Sequence, residues 1–287
     1  MKTLVIPDVH QRINNVEWVL ENEKDYDEVV FLGDWFDSFF DPPKVAGFEE
    51  TCEYLKHLIL EHPNKDKFVF LLGNHDLSYI HENKDYSLHR ISKTLKYYCS
   101  GFTASKAKKF RHAFFDHGLK DEFFTEHFDI VHRTQGFTLS HAGLSDKHIP
   151  YGLTPDDVID KIVPVVWKNF RDFTRPHNYL ISGAGYCRGG DCNVGGLLWQ
   201  DWNQEFLASE AIGKQIVGHT ATREPDCLAM GKPYESWNID TEKDYGIILD
   251  GRFITKRIPV EESTKEYKLS SRVTNLPDYK GTLRYDS

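Results

Sequence analysis

Short apolar runs rich in β-branched and aromatic residues recur along the amino-terminal third of the chain, and stretches with helical spacing separate them. The runs predict three strands, at residues 3–7, 28–32 and 67–72. Helices are expected between them, at residues 14–23 and 44–60. Strands that alternate with helices indicate βαβ units and a parallel sheet. The chain is therefore expected to be an α/β protein.

Residues 77–128 carry almost no strand signal and are rich in Lys, His, Tyr and Phe at helical spacing. This pattern predicts a helical insertion, or cap, on the core rather than a separate domain. Its charged and aromatic side chains could contact a substrate, but an ordinary pair of solvent-exposed helices is the favoured interpretation.

After the insertion, the pattern predicts a β-hairpin, a helix, a glycine-rich loop and further strands. In chain order these are the hairpin at 129–133 and 137–140, the helix at 155–170, the loop at 182–196, a strand at 214–217, and a meander of strands at 234–240, 245–250 and 252–257. We expect one domain over residues 1–260 and a polar, loosely attached tail at 261–287.

Composition and charge narrow the function classes. The formal net charge is −9, from 35 basic and 44 acidic residues. This argues against a general nucleic-acid binder, because the nucleic-acid backbone requires a basic surface. The chain opens directly on a strand without a secretory signal, and it has no apolar run of membrane-spanning length. With five cysteines at irregular spacing, these features favour a cytoplasmic protein without membrane contact.

Five short blocks along the chain contain side chains of the types that bind divalent cations. They are Asp8-Val9-His10, Gly33-Asp34-Trp35-Phe36-Asp37, Gly73-Asn74-His75-Asp76, Ser140-His141-Ala142-Gly143 and Val217-Gly218-His219-Thr220. Four of the five directly follow an apolar run that predicts a strand, and open α/β sheets bind their ligands at the carboxyl ends of the strands. Oxygen ligands mixed with imidazoles suit Mn, Fe or Zn and favour none of them. The simplest interpretation is a hydrolytic site with two metal ions.

Each block taken alone has an ordinary structural interpretation. Asp34 could cap the helix that follows it. His141 and His219 each lie beside a glycine after an apolar strand, where a histidine is more often a partly buried structural residue than a ligand. The functional interpretation therefore depends on the five blocks occurring together in one order.

Together and in this order, the five blocks resemble those of the calcineurin-like metallophosphoesterase superfamily, over about residues 4–257. Within it, the chain is most similar to the phosphoprotein phosphatases and the bacterial diadenosine-tetraphosphatase-like enzymes. Three segments carry that similarity: Ser140-His141-Ala142-Gly143, Gly73-Asn74-His75-Asp76-Leu77 and Gly196-Leu197-Leu198-Trp199-Gln200-Asp201. The resemblance implies a four-layer α/β/β/α sandwich with a helical cap insertion.

The resemblance also implies two divalent metal ions as cofactors. Asp8 and His10 would hold the first ion, Asp34 would bridge both ions, and Asn74, His141 and His219 would complete the second. Manganese is the activator that the resemblance favours, with iron, zinc or nickel as alternatives. Such ions lie roughly 3.5–4 Å apart, and a hydroxide that they share would attack phosphorus in line with the leaving oxygen.

His75 would then act as the general acid that protonates the departing alkoxide. Asp37 would orient the imidazole and keep it charged. A purely structural role for His75 behind the metal ligands is the alternative, and the pairing with Asp37 favours the acid.

The chain departs from the superfamily pattern at three positions. Ser38 stands where protein phosphatases of this type usually carry an arginine that binds the phosphate. Gln11 stands where a glycine is usual, and Ala221 stands where nucleases and many phosphodiesterases carry a second histidine. The last difference favours the phosphatase-like branch.

Arg188, in the glycine-rich loop, is a candidate substrate-binding replacement for the missing arginine. Its guanidinium and the backbone N–H groups of such a loop can bind a phosphate together, whereas an arginine on a mobile surface loop is the alternative. Asp201 can orient a metal-bound water from behind, or it can cap the helix predicted at 203–211.

The favoured activity is metal-dependent hydrolysis of a phosphomonoester, as in a protein phosphatase, with a small molecule, a nucleotide or a phosphoprotein as substrate. Hydrolysis of a phosphodiester or a dinucleoside polyphosphate is the alternative. A scaffold that has kept the fold and lost its activity is disfavoured, since the six expected metal ligands and His75 are all present.

Overall fold

A computed structural model describes residues 1–40, 44–80, 99–116, 119, 123–168, 179–210 and 212–263. Its strands, in chain order, are β1 (Lys2–Ile6), β2 (Glu28–Phe31), β3 (Phe68–Leu71), β4 (Phe128–Asp129), β5 (Val131–Thr134), β6 (Phe137–Ser140), β7 (Lys214–Val217), β8 (Asp226–Leu228), β9 (Ser236–Asn238), β10 (Asp244–Leu249) and β11 (Arg252–Arg257).

The α-helices of the described residues are α1 (Ile13–Asn22), α2 (Phe48–Leu60), α3 (Asn74–Ile80), α4 (Ala104–Phe114), α5 (Phe123–His127), α6 (Val163–Lys168), α7 (Tyr179–Ser182) and α8 (Val260–Ser263). Single 3₁₀ turns lie at Lys65–Lys67, Asp146–His148 and Tyr186–Arg188. Wider π-helical turns lie at Asp157–Ile162 and Trp202–Phe206. No helix among these residues is long and apolar enough to cross a membrane.

The strands form two mixed sheets. The first has the order β11-β10-β1-β2-β3-β4, in which β1 to β4 run parallel and β10 pairs antiparallel with β1. The second has the order β5-β6-β7-β9-β8, in which β6, β7 and β9 run parallel. The α/β sandwich expected from the sequence is confirmed, although each sheet also contains antiparallel pairs.

Alternate residues of the strands face two different cores, because successive side chains of a strand point to opposite faces. Leu4 and Ile6 of β1 belong to the core beneath α1 and α2. Val5, between them, packs with Phe137 and Ile216 of the second sheet. The two sheets therefore enclose one apolar layer, and helices cover the outer face of the first sheet.

Most predicted strands agree with the structure, but the carboxyl-terminal meander was wrong. β9 pairs with β7 and β8 in the second sheet, whereas β10 and β11 form a hairpin in the first. The hairpin turn contains Asp250 and Gly251, at φ 51° and 74°, as a tight turn of this type requires. The chain changes sheets between β9 and β10, and alternation of apolar residues carries no information about which sheet a strand joins.

Two predicted helices differ from the structure at their ends. The helix predicted from residue 44 begins at Phe48, because the Glu50 carboxylate accepts a hydrogen bond from the backbone N–H of Gly47 at 2.7 Å and so caps the first turn. The helix predicted at 155–170 is a π-helical turn that continues into α6, and its last two residues lie outside the described part.

The insertion and the tail are described only in part. Within 77–128, the described residues contain the end of α3, then α4 and α5, while 81–98 lie outside them. Phe110 and Phe114 of α4 are fully buried in the core that α2 also lines. Of the predicted tail, 264–287 lie outside the described residues.

Candidate metal centre

The polar blocks of the sequence meet at one edge of the sandwich. The loops after β1, β2 and β3 leave the first sheet at the same edge, because these strands are parallel. The loops after β6 and β7 leave the second sheet in the same way. The backbone N–H of Gly218, after β7, donates to the carbonyl of His141, after β6, at 2.8 Å. All five blocks therefore converge on one region.

Glycines allow these loops to approach closely. A Cβ atom on Gly73 would lie 2.1 Å from Asp34 Oδ1, and one on Gly218 would lie 2.0 Å from Asp8 Oδ1. Neither distance is compatible with a side chain at these positions. Gly73 and Gly218 therefore each place a backbone directly against a carboxylate of another block.

Four of the residues that converge here adopt left-handed backbone conformations, which residues with a Cβ rarely do. The φ angles are 43° at His10, 50° at Asp34, 63° at Asp37 and 67° at His219. Such conformations cost free energy and persist where the surrounding structure enforces them, and they cluster at functional sites. The backbone is thus shaped around this group of side chains.

A first group of ligand atoms comes from Asp8, His10 and Asp34, all buried and all within 4.8 Å of one another. His10 Nε2 lies 3.7 Å from Asp34 Oδ2. The other ring nitrogen, Nδ1, lies 2.8 Å from the carbonyl oxygen of Phe36 and must carry a proton to donate to it. The lone pair of neutral His10 therefore lies on Nε2, facing the carboxylates.

A second group comes from Asp34, His141 and His219, within the same 4.8 Å limit. His141 Nε2 lies 3.5 Å from Asp34 Oδ2, and its Nδ1 donates to the carbonyl of Leu32 at 2.9 Å. Asn74 Oδ1 lies 2.8 Å from His141 Nε2 and 2.9 Å from His219 Nδ1. Asp34 is therefore shared by both groups.

These residues fit a pair of divalent cations. His141 Nε2 and His219 Nδ1 are 3.2 Å apart, and both face the Asn74 oxygen. His141 Nδ1 carries a proton, because it donates to the Leu32 carbonyl. If the ring were neutral, the lone pair of Nε2 would therefore face the Asn74 oxygen, which is also an acceptor. A cation or a second proton must lie between His141 Nε2 and the Asn74 oxygen. Carboxylate, amide and imidazole donors together suit divalent transition metals.

The pKa values in the site follow from burial and from mutual charge. Burial raises the pKa of Asp8 well above its usual range, and the nearby Asp240 adds to the effect. Burial lowers the pKa of His10 to about 4 and that of His219 well below its usual value. Burial opposes the charge of His141 as well, but Asp34 and Asp8 outweigh it and raise its pKa to about 10.

The predicted pair of His75 and Asp37 lies beside these ligand groups. His75 Nδ1 is 3.1 Å from Asp37 Oδ2, and the backbone N–H of His75 donates to Asp34 Oδ1 at 2.8 Å. Burial opposes the charge of His75, but Asp34 and the hydrogen bond with Asp37 raise its pKa. Asp34 thus accepts a hydrogen bond from the first turn of α3, which follows β3. It does not cap α2, the helix that comes next after Asp34 in the chain.

Sequence reasoning missed two residues that hold Asp37. The Tyr79 hydroxyl donates to Asp37 Oδ1 at 2.6 Å, and Lys106 Nζ donates to the same oxygen at 2.9 Å. Tyr79 follows His75 by four residues, so helical spacing could have placed it on the same face of α3. Lys106 comes from the insertion, and no local pattern connects it with the site.

Two further residues position the ligand blocks. The Asn74 side-chain N–H donates to Cys99 Sγ at 2.9 Å, which directs the Asn74 oxygen toward His141 and His219. Asp76 accepts hydrogen bonds from the backbone N–H groups of Trp35, at 2.7 Å, and Gly73, at 3.0 Å. Burial and the charge of Asp34 raise the pKa of Asp76 to about 7.

Arg188 and Asp201, the remaining candidates, lie next to each other. Arg188 Nη2 is 2.8 Å from Asp201 Oδ2 and donates to Thr220 Oγ1 at 2.8 Å. Asp201 also accepts from the backbone N–H of Gln204 at 2.8 Å, as the alternative interpretation expected, and caps the short turn Trp202–Phe206. Arg188 lines a cavity of about 680 Å³ that His10, His75 and His219 also line.

The comparisons with known proteins agree with this arrangement. A family model for calcineurin-like phosphoesterases matches residues 1–232. No curated protein sequence matches the chain significantly. Among solved structures, the chain is similar to a cold-active protein-tyrosine phosphatase of a psychrophilic Shewanella species, with 15% identity, 93% of this chain and 80% of that chain covered, and a TM-score of 0.54.

Two other solved structures show weaker similarity. One is a protein serine/threonine phosphatase from Saccharomyces cerevisiae, with 16% identity, 89% and 79% of the two chains covered, and a TM-score of 0.46. The other is a metallophosphoesterase from Sphaerobacter thermophilus, with 15% identity, 90% and 89% covered, and a TM-score of 0.40. At such identities the Shewanella structure supports a shared fold alone, and the lower TM-scores support nothing further. The family match covers most of the chain, and the chain therefore belongs to the calcineurin-like phosphoesterase family of metal-dependent hydrolases.

Proposed function

We propose that the protein hydrolyses phosphomonoesters with two divalent metal ions, of which manganese is the favoured activator. The observation that carries the proposal is the pair of ligand groups that share Asp34, with the His75–Asp37 pair directly beside them. Asp8 and His10 would hold the first ion, Asp34 both, and Asn74, His141 and His219 the second. When bound, such ions neutralise phosphoryl oxygens and lower the pKa of water.

The proposed general acid is His75. Its Nδ1 is engaged by Asp37, so the proton available to a leaving oxygen is the one on Nε2, and the ring lines the cavity. Asp37 accepts from Tyr79 and Lys106 as well, which fixes the carboxylate and through it the imidazole. In this role Asp37 acts by positioning, and only His75 donates a proton to the substrate.

Arg188 is the proposed substrate-binding residue. Its contacts with Asp201 and Thr220 hold the side chain in place beside His219. Its Nε is buried without a hydrogen-bond partner, and a buried charged donor left unpaired is costly. A phosphoryl oxygen in the cavity would satisfy it with a charge-assisted hydrogen bond.

Hydrolysis of a dinucleoside polyphosphate or another phosphodiester is the second candidate. The observation that favours it is the breadth of the cavity, about 680 Å³, with the aromatic rings of Phe39 and Trp199 on its wall. A nucleobase could stack there. The first candidate is preferred over a phosphodiester, because Ala221 replaces the second histidine that the resemblance associates with phosphodiesterases.

The two candidates are separated by substrate preference. Manganese-loaded protein should turn over p-nitrophenyl phosphate with a higher kcat/KM than bis-p-nitrophenyl phosphate. Asp34→Asn is the matched negative control, since Asn removes the charge that both ligand groups share, and it should abolish turnover of both compounds. Faster hydrolysis of the diester would replace the first candidate by the second. Turnover of neither compound, nor of diadenosine tetraphosphate, by metal-loaded protein would contradict both.

A further inference from the structure

One guanidinium on the cavity wall has no role in the site as described so far. Nε and Nη1 of Arg12 are buried and have no hydrogen-bond partner, and Arg12 lines the cavity together with His10. Leaving charged donors buried and unpaired costs free energy that a bound acceptor would recover. The side chain is therefore arranged to meet a group that enters from the cavity.

The surroundings of Arg12 give its Nε and Nη1 no direct carboxylate partner. Asp240 is the carboxylate that responds to it: burial raises the pKa of Asp240 to about 6, and Arg12 reduces that rise. Even so, no carboxylate of the described residues forms an ion pair or hydrogen bond with Arg12 Nε or Nη1. The free donors thus suit an anion rather than a neutral ligand.

Gln11 and Ser38, two of the positions at which the chain departs from the superfamily pattern, are hydrogen-bonded to each other, and Arg12 follows Gln11 in the chain. Gln11 adopts φ 64°, and its side chain donates to the Ala46 carbonyl at 2.7 Å and accepts from the Ser38 N–H at 3.1 Å. Gln11 thereby ties the first block to Ser38, at the place where an arginine was expected. Arg12 follows immediately and lines the same cavity.

We propose that Arg12 binds a phosphoryl oxygen of the substrate on the His10 side of the metal centre, while Arg188 binds one on the His219 side. The inference rests on the proposed function for the identity of the ligand. The oxygen can belong to the reacting phosphoryl group or to a neighbouring phosphate of the same substrate. Two guanidiniums flanking the two ligand groups would select highly anionic substrates over neutral or singly charged esters.

The test uses Arg12→Gln, with Arg252→Gln as the matched control because Arg252 is exposed on the edge strand β11. Each manganese-loaded variant is titrated with inorganic phosphate by calorimetry. The kcat/KM is then measured with p-nitrophenyl phosphate and with adenosine 5′-diphosphate. Circular dichroism and metal content are compared with the wild type before any affinity is interpreted.

We expect Arg12→Gln to weaken at least one of these three interactions by about 10–100-fold, as for loss of charge-assisted hydrogen bonds. Loss with inorganic phosphate and p-nitrophenyl phosphate would place Arg12 at the reacting group, and loss with the diphosphate alone would place it at a neighbouring phosphate. Arg12→Lys keeps the charge but not the planar fork, so it should fold normally and recover only part of the loss.

The inference is overturned if both Arg12 variants, folded and metal-loaded, bind phosphate and turn over both substrates within about twofold of Arg252→Gln. It can fail while the proposed function stands, because wild-type turnover of p-nitrophenyl phosphate is measured in the same series. Conversely, absence of turnover in the wild type would contradict the proposed function, and the phosphate titration would still test Arg12.

Discussion

His141 shows a conflict between burial and charge, because burial favours the neutral imidazole and two nearby carboxylates favour the charged one. It is fully buried, yet Asp34 and Asp8 raise its pKa to about 10, so the metal-free protein holds a proton there at neutral pH. His10, with a pKa of about 4, and His219, with a pKa well below its usual value, are already neutral. A metal ion must therefore displace the proton of His141 and none from the other two histidines.

This conflict predicts the pH dependence of metal binding. Below pH 10 the His141 proton must leave, so each unit of rising pH should strengthen manganese affinity by up to about tenfold for this one proton. Asp8, with its raised pKa, adds a second proton at the acid end. Calorimetric titration between pH 6 and 8.5, in buffers of different ionisation enthalpy, should find about one proton released. Affinity that is independent of pH, with no proton release, would contradict the assignment of His141.

His75 can be distinguished from the ligands by substitution. His75→Asn should leave the metal content nearly unchanged, because the His75 side chain belongs to neither ligand group, and should slow turnover by ~10²–10⁴, the usual contribution of a general acid. The check is metal analysis alongside kcat for p-nitrophenyl phosphate. If the variant also loses its metal, His75 has a structural role instead.

At the residue scale, the structure brings together the six residues that the resemblance marked as ligands and places His75 Nδ1 3.1 Å from Asp37 Oδ2. Their roles in metal binding and catalysis stay predictions. The sequence could not identify Cys99 or Lys106. Both come from the insertion, at sequence separations of 25 and 69 from the residues that they contact. Only the packing of the insertion against α3 brings them to the site.

At the scale of elements, the insertion is more than the solvent-exposed helices that its composition favoured. Its described residues hold Asn74 through Cys99 and Asp37 through Lys106. Tyr79 of α3 stacks on Phe110 of α4, with ring centroids 5.7 Å apart. Apolar spacing in α4 predicted a helix correctly, but not which face of the protein it would cover.

Removing the Cys99 contact should therefore weaken the metal centre from a distance. Cys99→Ala deletes the acceptor that orients the Asn74 amide, and loss of such a supporting hydrogen bond typically lowers metal affinity 10–100-fold. Cys52→Ala is the matched control, since Cys52 is a buried free cysteine in α2. Manganese titration of both variants provides the comparison. Equal affinities would mean that Cys99 does not position Asn74.

Element boundaries and strand partners were the least predictable parts of the fold. The start of α2 depends on the Glu50 contact with Gly47, and the exit of the chain from the second sheet after β9 depends on tertiary pairing. By contrast, β1, β2, β3 and β7 were predicted within one residue at each end. These strands are buried and bounded by polar or glycine residues, so their signal is local.

At the scale of the whole molecule, the candidate metal centre joins the two sheets. Asp8, Asp34 and Asn74 follow strands of the first sheet, and His141 and His219 follow strands of the second. Ions bound between them would act as cross-links that are absent from the unfolded chain. The stability of the fold should therefore depend on metal.

Thermal unfolding tests this dependence. Manganese at about 100 times its Kd should add ~2.7 kcal/mol per bound ion to the free energy of unfolding. Two ions would add about 5.4 kcal/mol, which corresponds to an increase in Tm of about 10 °C for a chain of this size. A chelator should reverse the increase, and Asp34→Asn should show almost none of it. An identical increase in Asp34→Asn would mean that manganese binds elsewhere.

Anomalous X-ray diffraction from crystals grown with manganese tests the dinuclear centre most directly. We expect two peaks roughly 3.5–4 Å apart, with Asp34 between them, Asp8 and His10 beside one, and Asn74, His141 and His219 beside the other. A single peak, or manganese bound only away from Asp34, would contradict a dinuclear centre.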